Sequence, residues 1–172
     1  MKGFTLIELL VVSGIVVLLT GLMVPSWRSG EGALALGRAA AKISQDIEHT
    51  KDLSLQAKWF ECQIGKIAGY GVYFTSNATS YVIFADCNNN QRYDSGTDGV
   101  VENVSMESAV RISSVTQGAF GMVIVPPDPA VYLKEGAVPY GTLSSAQIIV
   151  SAESGGAQKT ITINQKAVVG IQ

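Results

Sequence analysis

The sequence predicts an α+β fold: one long N-terminal helix packed on an antiparallel β-sheet head, with two sheets expected. Three observations predict it. Residues up to 58 keep a helical apolar pattern, opened by a run from Phe4 to Val24 whose one charged residue is Glu8. After Phe60 the apolar period changes from three and four to two. The strand candidates then follow one another with turn chemistry between them, which argues against alternating βαβ units.

Length and composition bound the reading. The 172 residues suit one domain plus an appendage. Hydrophobic residues make up 47% and charged residues 15%, and the apolar surplus sits at the N-terminus. A net charge of −2 gives no overall basic field to attract nucleic acid. One histidine and two cysteines argue against a four-ligand structural zinc site. No glycine-rich phosphate loop, GxSxG turn or Ser/His/Asp set appears, so no enzyme is expected.

Residues 4–25 read as a transmembrane segment. At 1.5 Å rise per residue the run spans about 31 Å, close to the hydrocarbon thickness of a bilayer. It is too long for an ordinary signal-peptide core and no small-x-small cleavage site follows, so it is expected to be retained. Pro25 is expected to close or kink the helix. Lys2 precedes the run, and Arg28, Arg38 and Lys42 follow it, so the basic residues do not set its orientation. Glu8 would cost roughly 2.5–3.5 kcal/mol at the bilayer centre and less near the interface. Either it reaches water at the membrane edge or it has a partner on another chain.

Residues 26–58 read as an amphipathic helix continuing into the head. Ala40, Ile43, Ile47, Thr50 and Ala57, with Leu36 at the start and Leu53 beside them, make a narrow stripe suited to lying on a sheet. Gln45, Asp46, Glu48, Lys51 and Asp52 are expected mostly off that stripe. Gly30 and Gly32 in "SGEG" cost roughly 1 kcal/mol each in a helix, so a bent or melted segment is expected there.

Residues 59–172 read as the β-rich head. Strands are expected at 70–74, 81–86, 100–104, 109–115, 122–126, 146–152, 159–165 and 167–171. The breaks, such as "TSNATS", "NNNQRYDSGTDG", "PPDP" and "ESGGAQ", carry turn residues.

Two features of the head carry possible chemistry. Asp86, Asn88, Asn90 and Asp94 place oxygen side chains at positions 1, 3, 5 and 9 of an EF-type loop, with the Arg92 carbonyl at position 7, a spacing suited to calcium. Gln91 stands where glycine belongs, Thr97 where the bidentate glutamate belongs with Asp98 one step late, and strands flank the loop. The other reading is a polar hairpin turn. Cys62 and Cys87 form an even pair, read either as a disulfide or as two separately buried thiols. His49 reads as a solvated helix residue.

"MKGFTLIELLVV", together with Pro25, resembles the class III signal of type IV pilins and type II secretion pseudopilins. The resemblance implies that residues 1–3 are a leader cut after Gly3 by a prepilin peptidase, and that Phe4 is then N-methylated. It implies that Glu8 of one subunit pairs with the new Phe4 amine of a neighbour in a helical filament. Other pilin or pseudopilin subunits, membrane lipid, an inner-membrane platform protein and an assembly ATPase follow as partners. The N-terminus would be cytoplasmic and the head periplasmic or extracellular. The helix-then-strands layout and the tail "KTITINQKAVVGI" resemble the GspH/FimT-like minor pseudopilins within that family. The alternative is a minor pilin whose head binds DNA through Lys58, Lys66, Arg92, Arg111, Lys134, Lys159 and Lys166, which otherwise read as dispersed solubility charges.

Overall fold

The computed structural model describes residues 3–63, 65–127, 130–136, 141–153 and 156–172, with backbone only at residues 22–30. Met1 and Lys2 of the expected leader lie outside the described residues, as does the Pro25 side chain.

Helix α1 runs from Leu6 to Leu55. Thr5 caps its start: the Glu8 N–H donates to Thr5 Oγ1 at 3.4 Å, and the Glu8 carboxylate accepts from the Thr5 N–H at 3.1 Å. That reciprocal pair is a capping box, which serves two backbone donors the helix itself cannot. The helix continues through Pro25 and through 29–32, so it neither ends at the proline nor melts at the glycines. Once nucleated, a helix needs to gain only one hydrogen bond per added residue, so isolated breakers lower the local preference without ending it.

The helix stops at Leu55 rather than at 58. Ala57 turns left-handed with φ 45°, its N–H donates to the Ser54 carbonyl at 3.0 Å, and the Lys58 N–H reaches the Leu53 carbonyl at 3.2 Å. This is a Schellman ending with alanine in the usual glycine position. Ala57 is therefore exposed, beyond the end of the stripe that the pattern assigns it to.

Strands β1 (Gly69–Thr75), β2 (Ser80–Asp86), β3 (Gly99–Ser105), β5 (Ala119–Val125) and β6 (Ala130–Glu135) form a sheet in the order β3-β2-β1-β5-β6. Strands β4 (Val110–Val115), β7 (Ser145–Ala152), β8 (Gln158–Asn164) and β9 (Val169–Ile171) form a second, in the order β4-β7-β8-β9. Every pairing is antiparallel. Strand β6 is an addition to the expected set. It is an edge strand whose one buried residue is Leu133, so it lacks the alternation that marks a half-buried strand. The final strand is shorter than expected because Ala167 turns left-handed at φ 53°.

The helix lies across both sheets, touching β1 and β5 of one and β4, β7 and β8 of the other. Leu36, Ala39, Ala40, Ile43 and Ile47 enter a core with Phe74, Phe120, Met122, Ile112, Ile148 and Ile161. Two adjacent alanines on this face let the helix axis approach the sheets closely. Asp46, expected off the stripe, is buried on it.

Candidate functional site

The first candidate is the unpacked half of α1. Among the described side chains the helix is buried only from Ala35 onward, and those from Leu6 to Gly21 are exposed. Phe4 is 87% exposed and Leu6 83%, and Ile7, Leu9, Leu10, Ile15, Val17 and Leu18 are exposed as well. One chain offers this surface nothing to pack against, and burying such side chains is worth about 1.5–3 kcal/mol each. Glu8 sits on this half, where its carboxylate accepts from the Thr5 N–H and hydroxyl. Gly3 and Phe4 lie just ahead of the cap, in non-helical chain. Among the described residues no helix is long and apolar enough to cross a membrane; the described side chains of this run end at Gly21.

The packed half is fixed to the head by polar contacts as well as by the core. Tyr81 Oη on β2 donates to Asp46 Oδ2 at 2.5 Å, and Lys42 Nζ donates to Asp46 Oδ1 at 2.6 Å. Burial, then the hydrogen bond to Asp46, holds the Tyr81 phenol well above its usual range. Ser54 Oγ donates to the Ile124 carbonyl at 2.8 Å and accepts from the Tyr70 N–H at 3.0 Å, tying the end of the helix to β5 and β1. Arg38 and Glu107 form an ion pair at 2.6 Å where the helix enters the head, exposed and therefore screened by solvent.

The second candidate is the loop after β2. Cys62 and Cys87 are joined by a disulfide, with Cα atoms 5.7 Å apart. The bridge ties the segment following α1 to the end of β2, beside Leu53, Tyr70 and Phe60. Asp86 is fully buried, and its two carboxylate oxygens accept from the Asn89 N–H at 2.7 Å and the Gln91 N–H at 2.9 Å. Asn88 Oδ1 accepts from the Asn90 N–H, and Asn90 Oδ1 from the Arg92 N–H. The Asn88 and Asn90 amides both donate to Asp94 Oδ2. Asp98, one step late in sequence, is drawn into the loop: it accepts from the Cys87 N–H at 3.0 Å and the Asp94 N–H at 2.7 Å. Burial raises the Asp98 carboxyl, and the charges of Asp86 and Asp94 add to the rise. Desolvation pushes the Asp94 carboxyl up too, but the Asn90 and Asn88 amides and Arg92 outweigh it, so the net shift is downward. Among the described residues no group of three or more His, Cys, Asp or Glu is placed to hold a metal.

A DNA-binding head finds no support: Arg92 and Lys134 share one cleft, but Asp94 and Glu135 line it too, and Lys58, Lys66, Arg111, Lys159 and Lys166 lie on other elements.

A helix half inside and half outside an antiparallel two-sheet head fits the pilin-like class of subunit. The chain is similar to the pilin-like protein PilA1 of Thermus thermophilus, with 27% identity over 166 residues that cover 96% of this chain and 94% of that protein. No family model matches, and no solved structure matches. The likeness runs through helix and head together. It does not separate GspH/FimT-like minor pseudopilins from other pilins.

Proposed function

We propose that this chain is a structural pilin-like subunit, anchored in the inner membrane by residues 4–25 until it joins a helical filament through the same helix. The observation that carries the reading is the unpartnered apolar half of α1. Lipid covers that surface before assembly, and the helices of neighbouring subunits cover it afterwards. A prepilin peptidase would cut after Gly3, and Phe4 would be methylated. In the free subunit the Glu8 carboxylate is partnered by its own helix start. In the filament it would take the Phe4 amine of a neighbour, and a buried charge with a single suitable partner sets axial register. A platform protein and an assembly ATPase would supply the work of extraction.

Glu8→Val tests this. The variant should still partition into the membrane fraction but should no longer be recovered in sheared filaments. Filaments formed in normal amounts would overturn the register role of Glu8.

We further propose calcium as a ligand of the 86–98 loop, a reading favoured by one backbone observation. Gln91, at the glycine position of an EF-type loop, adopts the left-handed φ of 59° that the position demands. Asp86, Asn88, Asn90, Asp94 and the Arg92 carbonyl would supply the oxygens. Calcium should raise the melting temperature relative to chelator, and Asp86→Asn should abolish the difference. Identical melting of the parent protein in calcium and in chelator ends this reading.

A further inference from the structure

The outer face of the five-stranded sheet, turned away from α1, holds a small cleft whose position follows from register. Tyr73 on β1 lies opposite Gly121 on β5, and Gly121 lies opposite Lys134 on β6. Three neighbouring strands therefore present an aromatic ring, a bare backbone and a long cationic side chain in one row. The 86–98 loop folds back over this face and sets Tyr93 above it, its ring 5.0 Å from Tyr73 and 5.0 Å from Phe84 between centroids. The result is a cleft of about 190 Å³ with Gly121 in its floor, tyrosines on one side, and Arg92, Asp94, Lys134 and Glu135 around it.

The lining selects a ligand chemistry. Arg92 and Asp94 already pair with each other at 3.8 Å, and Lys134 and Glu135 offset one another in charge, so neither a polyanion nor a cation is favoured as a whole. Carboxylates accept while guanidinium and ammonium donate, and a hydroxyl is a group that can answer both. Aromatic faces carry negative potential and attract weakly positive C–H groups. A compact ligand with many hydroxyls and an apolar C–H face meets all three conditions. The volume equals roughly six waters at about 30 Å³ each, the scale of one sugar ring.

We propose that this cleft binds a single neutral hexopyranose residue, at the end or within the chain of a glycan. Few atoms make contact, so binding of a free monosaccharide is weak, with Kd in the millimolar range. The site is independent of the assembly helix and gives the head a surface-recognition role on top of any structural one.

Gly121 supplies the decisive variant. A Cβ built there meets nothing closer than Tyr73 Cδ2 at 3.7 Å and the Tyr93 nitrogen at 3.9 Å, so one added methyl is tolerated by the fold and intrudes on the floor. The full chain, held in a detergent without a sugar headgroup, is titrated with the methyl pyranosides of glucose, galactose and mannose by saturation-transfer NMR. Galacturonate and inorganic sulfate serve as anionic controls. The expected result is saturable transfer from at least one neutral pyranoside, weakened severalfold by Gly121→Ala with the melting temperature unchanged, and weakened also by Lys134→Met. Absence of saturable transfer from all three neutral sugars overturns the proposal. So does tighter binding of galacturonate or sulfate, or undiminished binding in folded Gly121→Ala.

Discussion

The Tyr81 hydroxyl of β2 and the Asp46 carboxylate of α1 meet at 2.5 Å, with both residues buried. Tyr81→Phe removes the donor and leaves one carboxylate oxygen facing the core. Such a loss costs about 1–3 kcal/mol. At about 2–4 °C per kcal/mol for a chain of this size, melting should fall by roughly 2–12 °C. A melting curve that superimposes on the parent would mean that Lys42 alone satisfies Asp46.

The tyrosines set the alkaline limit of the fold. Tyr70, Tyr73, Tyr81 and Tyr93 are all shifted upward, each chiefly by burial. A raised folded pKa favours the protonated phenol, so this stability is complete below the unfolded value near 10 and is lost as pH climbs above it. Phenolate absorbance should therefore rise together with loss of near-ultraviolet circular dichroism. Titration of all 6 tyrosines near pH 10 with the dichroism intact would contradict these environments.

The disulfide closes a loop with a sequence separation of 25 residues. Loop-closure entropy for that length is worth about 3.5 kcal/mol. Replacing both Cys62 and Cys87 by alanine should lower melting by roughly 7–14 °C. A change smaller than a few degrees would show that the Leu53, Tyr70 and Phe60 cluster holds the segment unaided.

Gly71→Ala should be among the most damaging single-methyl additions. The new Cβ would lie 2.5 Å from the Met122 carbonyl oxygen and 2.6 Å from Cζ of the buried Phe84. Backbone blocks one side and a packed ring the other, so overpacking of about 1–3 kcal/mol is expected in chemical denaturation. An unchanged denaturation midpoint would mean the strand shifts freely, contrary to its pairing on both sides with β2 and β5.

Much of this architecture can be read directly from residues. The alternation of Ile161 and Ile163 with Thr160 and Thr162 marks β8, and the change of period after Phe60 marks the head. What escapes such a reading has a physical cause. Strand β6 hides because a covered edge needs little apolar alternation: its far side is closed by the Lys134–Thr142 bridge and by the Leu143 N–H bonding the Leu133 carbonyl. Asp46 hides because its partner Tyr81 is 35 residues away, and no local pattern reveals such a pairing. Helix breakers overstate their effect at Pro25 and at Gly30 and Gly32, where a long continuous helix overrides local preference. At the N-terminal site the residues are legible as a pattern, Gly3, Phe4 and Glu8 in fixed spacing, and Thr5 three residues before Glu8 carries the T-x-x-E signature of the capping box that the backbone then forms. In the loop, Asp98 stands one step out of the EF-type register, yet the folded chain brings it to the Cys87 and Asp94 N–H groups.

Mass spectrometry of the N-terminal peptide from natively produced, filament-associated protein tests the central claim most directly. The expected chain begins at Phe4 and carries one added methyl group on its amine. Filaments built from subunits that still begin Met1-Lys2-Gly3 would contradict it.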